Sequence, residues 1–105
     1  MNDVVLIGQA ESAQIDAWKM NWPDGIYAVC NDTHIAYFKN PSRLEVNFAL
    51  SRASKDAPLA VVEALADKTF IGGSDLLLRS DSFFLGAGAE IKEKLYGVKA
   101  KLVNL

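Results

Sequence analysis

The chain has one cysteine, one histidine and three prolines among its 105 residues. The lone Cys30 has no intrachain disulfide partner, and a secreted domain of this size would use several, so a reducing compartment is expected. The stretch Met1-Asn2-Asp3-Val4-Val5-Leu6-Ile7-Gly8 carries no lysine or arginine ahead of its short apolar run. It therefore lacks the positive region of a signal peptide, and a cytoplasmic location is expected. No apolar run approaches the ~20 residues that cross a bilayer, which argues against a membrane partner. A basic excess is missing too: 11 Lys and Arg against 13 Asp and Glu give a formal charge of -2. Neutralising a phosphate backbone requires a basic footprint, so nucleic acid is not the expected main partner.

What is present belongs to an ordinary folded domain. Hydrophobic residues make up 50% of the chain and charged ones 23%, far from the signature of disorder. The length implies one domain over residues 1–105, with roughly two-thirds of the unfolded surface buried.

Turn-forming residues at Pro23-Asp24-Gly25, Asn31-Asp32-Thr33, Asn40-Pro41-Ser42, Asp56-Ala57-Pro58 and Gly72-Gly73-Ser74 divide the chain into pieces of element length. From Glu11 to Trp22, Ile15, Trp18 and Trp22 recur at helical spacing until Pro23 stops them. Ile26–Cys30 and Ile35–Lys39 are β-branched and aromatic around a short turn, the pattern of a β-hairpin. Leu44, Val46, Phe48 and Leu50 alternate as a strand would, but Ser42-Arg43-Leu44-Glu45 forms a capping box. Leu44 and Phe48 also meet at i, i+4, so a helix is expected. Pro58 suits the first turn of a helix reaching about Asp67, with Leu59, Val62 and Leu65 as its buried face. Ser74 or Asp75 would cap a short turn through Leu76, Leu77 and Leu78. A longer helix from about Asp81 would bury Phe84, Gly88, Ile91 and Leu95 and stop at Gly97. Gly86 and Gly88 weaken a helix by roughly 1 kcal/mol each, so close packing against both is expected. The segment from Val98 to Leu105 fits either strand or further helix. The fold class is thus α+β: an N-terminal helix, one antiparallel hairpin, and a mainly helical C-terminal half packed on it.

Side chains with chemistry are few. Cys30, Asp32 and His34 carry metal-ligand atoms at spacings of two, but a turn between them would point them apart, so no metal is expected. A Cys30–His34 catalytic pair would need a third orienting group, which is not identifiable. Gly72-Gly73-Ser74-Asp75 lacks the lysine and spacing of a phosphate-binding loop, and Gly86-Ala87-Gly88 lacks the completion of a dinucleotide fingerprint. Glu90 and Glu93 alternate with Lys92 and Lys94 as a solvated face does. Neither a cofactor nor a catalytic residue is assigned.

Large apolar side chains are abundant for so small a core: Trp18, Trp22, Tyr27, Tyr37, Phe38 and Phe48, with Phe70, Phe83, Phe84 and Tyr96. Phe83 and Phe84 are adjacent, so both cannot sit at the centre of one helix face. These two, with Leu76 and Leu77, are the expected protein-interaction residues.

The order Tyr37-Phe38-Lys39-Asn40-Pro41-Ser42-Arg43, Ala49-Leu50-Ser51, Asp56-Ala57-Pro58, Phe70-Ile71-Gly72-Gly73-Ser74-Asp75 and Asp81-Ser82-Phe83-Phe84-Leu85 resembles small proteins of tailed-phage and prophage morphogenesis regions. Some of these are similar to tail assembly chaperones. The resemblance covers a little over half the chain. It implies a non-enzymatic helper that binds other tail proteins, the tape-measure protein among them, and shields apolar surfaces before assembly. Such a protein would expose an apolar patch and self-associate as a homo-oligomer. Two other readings make different demands. A small-molecule module or unrecognised enzyme would have a pocket near Cys30, His34 and Tyr37. A nucleic-acid regulator would have a basic face built from Lys39, Arg43 and Arg52.

Overall fold

In a computed structural model, which describes residues 5–97 and 100–105, the chain adopts the expected α+β architecture with one strand more than the sequence pattern shows. The first helix, α1 (Ser12–Asn21), ends ahead of Pro23. Strands β1 (Ile26–Cys30) and β2 (Ile35–Lys39) form the hairpin in register from Ile26 opposite Lys39 to Cys30 opposite Ile35. The hairpin turn is held by Asn31, whose Oδ1 accepts from the Thr33 and His34 amides at 2.9 and 2.7 Å.

Helix α2 (Arg43–Leu50) resolves the conflict between the alternating pattern and the capping box in favour of the box. The Glu45 amide donates to Ser42 Oγ at 3.1 Å, and the Ser42 amide donates to Glu45 Oε1 at 2.9 Å. These two bonds satisfy amides that a strand would need a neighbour to pair, and only Ala49 of the helix is fully buried.

Helix α3 (Ala60–Thr69) begins two residues after Pro58 and buries Val62, Leu65, Ala66 and Thr69. Leu59, expected on that face, is instead 41% exposed, because it precedes the helix in the turn. The unexpected strand β3 (Phe70–Gly73) follows directly and pairs antiparallel with β2, giving sheet order β1-β2-β3 with β2 in the middle. A bulge between Tyr37 and Phe38 leaves Ile71 outside the regular ladder.

Helix α4 (Leu76–Arg79) is capped by neither Ser74 nor Asp75 through a side chain. Asp75 spends its carboxylate on Arg79 at 2.7 Å, and Ser74 donates its amide to the Ile35 carbonyl at 2.8 Å. Helix α5 (Asp81–Lys92) continues into a 3-10 turn over Glu93–Tyr96 and stops at Gly97, whose φ is +62°. Phe84, Gly88 and Ile91 face the core as expected, and Leu95 packs on its margin. A Cβ on Gly88 would lie 3.5 Å from Val62 Cγ1, so this glycine is closely packed. Gly86 is not: nothing lies within 4 Å of its Cβ position. Of the C-terminal stretch, residues 98 and 99 lie outside the described residues, and 100–105 form neither strand nor helix.

Alternation along β2 puts Ala36 and Phe38 on one side of the sheet and Tyr37 on the other. Ala36 and Phe38 join the core with Leu65, Leu77, Phe84 and Ile91. On the opposite side, α1 lays Trp18 over Tyr37, with ring centroids 5.1 Å apart, and onto Gly72, where a Cβ would come within 2.6 Å of the indole. The central strand is therefore covered on both faces, and Ala36, Tyr37 and Phe38 are all buried. No helix among the described residues is long and apolar enough to cross a membrane.

Candidate functional site

The four expected interaction residues separate by burial. A helix turns by about 100° per residue, so Phe83 and Phe84 diverge. Phe84, at 7% exposed, packs into the core, while Phe83 is half-buried with its ring 5.0 Å from that of His34. Leu77, at 1% exposed, is core as well, whereas Leu76 is 43% exposed. Phe84 and Leu77 are therefore supports of the fold, and Phe83 and Leu76 are the two that reach the surface.

The hairpin does not gather Cys30, His34 and Tyr37 into one pocket. His34 Nδ1 lies 2.7 Å from Thr33 Oγ1, and Tyr37 is on the α1 side, its hydroxyl accepting from the Ala10 amide at 3.1 Å. Cys30 lines a hollow of about 290 Å³ with Asn31, Ser82, Phe83 and Glu90, and neither His34 nor Tyr37 reaches it. Among the described residues, no three His, Cys, Asp or Glu side chains approach closely enough to hold a metal ion. Of the three residues that a basic face would need, Lys39 is paired with Glu45 at 2.6 Å and Arg52 lines the groove described below.

Burial pushes the Glu45 carboxyl upward, but the Lys39 ammonium and the Ser42 amide together outweigh it, and its pKa falls below the ordinary 4.5. The stability this carboxylate contributes is in place above that ordinary value and is lost as the pH falls through the lowered one.

A second concavity, larger than the hollow beside Cys30, was not legible in the sequence. It is a groove of about 770 Å³ between α2, α3, α4 and the start of α5. Its floor is apolar: Phe48 from α2, Phe70 at the start of β3, Leu78 from α4 and Phe84 from α5. Ala60 and Ala64 of α3 are small enough to leave the space open. The rim is mainly acidic, with Glu63 and Asp67 one turn apart on α3 and Asp81 at the head of α5. Asp75 and Arg79 neutralise one another, and Arg52 adds a positive charge at one side. The Lys68 ammonium sits 4.8 Å from the Phe48 ring centroid. Five consecutive elements, α2, α3, β3, α4 and α5, each give a few side chains to this groove, which is why single-segment patterns do not reveal it. The usable signal was on α3, where alanines and carboxylates share one face at 60, 63, 64 and 67.

One core polar group stands out. Tyr27 Oη is buried without a hydrogen-bond partner among the described residues. Burial pushes its pKa from 10.0 to about 12, and the nearby Thr69 hydroxyl offsets this in part, although Thr69 donates its proton to the Leu65 carbonyl at 2.8 Å. Tyr27→Phe removes an unpaired buried hydroxyl and is expected to stabilise the domain by about 1 kcal/mol in urea unfolding. As pH rises from 10 to about 12, the unfolded chain releases the phenolic proton before the folded one does, so the wild type loses stability there. The advantage of the phenylalanine variant should widen across that window, and a constant gap would contradict the assignment.

Fold and groove together define a small α+β domain with an acid-rimmed apolar cleft. No protein-family model matches the chain, and no curated protein or solved structure matches it.

Proposed function

We propose that this chain is a non-enzymatic, protein-binding factor of phage or prophage origin, a tail assembly chaperone or minor structural component, and that the groove is its binding surface. The observation that carries the reading is the open apolar floor: Phe48 is 42% exposed, although it sits among Phe70, Leu78 and Phe84. An aromatic side chain left half in water beside other apolar groups gains about 25 cal/mol per Å² when a partner covers it. A concave apolar surface with a charged rim also has the anatomy of a protein-protein contact, in which a few desolvated anchors carry most of the energy. The resemblance to phage morphogenesis proteins supplies the kind of partner, namely other tail proteins. The alternative, a small-molecule module, rests on the hollow beside Cys30. At about 290 Å³, that hollow is at the lower limit of the roughly 300–1,000 Å³ usual for ligand sites.

Affinity capture of the tagged chain from lysate of its source organism tests the reading. Wild type is expected to retain phage tail proteins identifiable by mass spectrometry, and Phe48→Glu to lose them by at least about tenfold, the ratio that 1.4 kcal/mol of lost binding represents. Matched thermal melts of the two proteins would exclude unfolding as the cause. Equal retention by the variant, or recovery of no tail protein by wild type, would overturn the proposal.

A further inference from the structure

The outer edge of β1 is open. The Asn31 amide donates to the His34 carbonyl at 2.9 Å and the Asn40 amide to the Gly25 carbonyl at 3.0 Å, so the odd-numbered residues of β1 are the ones that exchange hydrogen bonds with β2. By alternation, the N–H and C=O groups of Ile26, Ala28 and Cys30 point away from the sheet. Among the described residues these groups have no backbone partner, and β2 is the only strand beside β1. Folded proteins blunt such an edge with a lysine, a proline or a bulge. β1 carries no charged residue and no proline, and its register against β2 is unbroken.

On the core side of the sheet, α5 packs along β1. The hollow of about 290 Å³ near Cys30 opens between the two, with Val29, Leu77, Phe83 and Ala87 as its apolar floor. It is small for a ligand of its own but has room for one side chain. Gly86 keeps it open, since nothing lies within 4 Å of its Cβ position. Glu90 is the one charged side chain that lines it, and among the described residues Glu90 forms no ion pair. Lys94, one turn further on, holds its ammonium 4.7 Å from the Tyr27 ring centroid and does not line the hollow.

We infer that an extended segment of a partner protein adds to β1 as a further, antiparallel strand and lays one apolar side chain in the hollow. Strand addition of this kind draws affinity from main-chain hydrogen bonds and specificity from a pocket for an alternate side chain, and here both lie side by side. In an antiparallel pair, the partner residue opposite Val29 shares Val29's side of the sheet, so its side chain enters the hollow. Its two neighbours exchange hydrogen bonds with Ala28 and Cys30 and point to the open face. Phe83 lies by His34 at the turn of the hairpin and Lys94 over Tyr27, so α5 runs antiparallel to β1 and Glu90 stands towards Tyr27. A lysine or arginine two positions after the apolar residue falls opposite Tyr27, on the same side, and meets Glu90. An acidic residue there is repelled. A second copy of β1 is a poor occupant: edge-to-edge pairing of two copies would bring their α5 helices to about one strand spacing, inside the roughly 8–10 Å that packed helices need. This surface is separate from the groove and adds a second mode of protein binding to it.

Selection from a displayed library of random eight-residue peptides, followed by fluorescence-anisotropy titration of the enriched peptides, tests this. Enriched sequences should share one apolar position with a lysine or arginine two places after it. Ala28→Pro removes an amide that points outward and none that pairs with β2, the setting in which an edge strand tolerates proline. Gly86→Leu fills the hollow and leaves the edge intact. Each should weaken binding of the enriched peptides by about tenfold or more, with thermal melts showing both variants folded. Bound peptide should slow hydrogen exchange of the Ile26, Ala28 and Cys30 amides, and Phe48→Glu, in the groove, should bind it as the wild type does. No enrichment, enriched peptides without the shared pattern, binding that survives both substitutions, or exchange protection away from β1 would each overturn the inference. So would association of the purified wild type that Ala28→Pro abolishes, because a second copy would then be the occupant. Such a failure leaves capture of tail proteins by the groove untouched, whereas loss of that capture with peptide binding intact would count against the proposed function alone.

Discussion

Replacing Phe38 by alanine is expected to destabilise the domain by about 3–5 kcal/mol, a large part of the roughly 5–15 kcal/mol that holds a domain of this size together. Phe38 is fully buried in the middle strand, stacked on Tyr27 at 5.4 Å and edge-on to Phe70 at 5.8 Å. Truncation removes both ring contacts and leaves a void whose walls cannot close. The backbone on one side is fixed by two strand neighbours, and α3 and α5 on the other are held by Leu65 and Ile91, both fully buried. Core interiors are packed like crystals, so such a void is not refilled by small shifts. Urea unfolding measures the loss directly. A drop of less than about 1.5 kcal/mol would mean that the sheet and helices relax together around the site, contrary to this account of the core. Phe70, which meets Phe38 from the floor of the groove, would lose its support in the variant. Groove binding should therefore weaken alongside stability.

Elements governed by local chemistry were legible in the sequence. The hairpin has matching strand-forming runs and a turn that Asn31 closes on itself, so its ends are as expected. Helix α2 was legible because the Ser42–Glu45 bonds are local and outweigh an alternating pattern that only tertiary partners could have exploited. Strand β3 was not, because two of its four residues are glycines, which weaken a strand and read as a turn. What makes it a strand is non-local: it follows α3 without a break and lies beside β2, where a side chain at Gly72 would collide with Trp18. The same distinction separates Phe83 from Phe84. Adjacency shows that the two must part, but which one turns inward depends on the position of Val62 and the sheet. For the groove, each contributing segment is unremarkable alone. Glu63 and Asp67 of α3 border a groove only once α2 and α5 are set beside them.

Gly73→Ala and Gly86→Ala make the same chemical change and are expected to act with opposite sign. Gly73 has φ +93°, a conformation costing a residue with a Cβ roughly 1–2 kcal/mol. Its Cβ would also lie 2.7 Å from the Ile35 carbonyl oxygen and 3.0 Å from Ala36 Cα, both backbone atoms of the central strand. Neither can yield without parting β3 from β2 where Gly73 pairs with Ala36, and without straining the Ser74 amide bond to the same Ile35 carbonyl. A loss of about 3 kcal/mol or more is expected, counting strain and broken pairing together. Gly86 lies in the interior of α5, exposed, with open space where a Cβ would go, so alanine there should stabilise the domain by up to about 1 kcal/mol through helix propensity alone. Urea midpoints of the two variants should fall on opposite sides of the wild type. If Gly73→Ala proved neutral, β3 would not be locked against β2 at Gly73, and the seat of Trp18 on Gly72 would lose its physical basis.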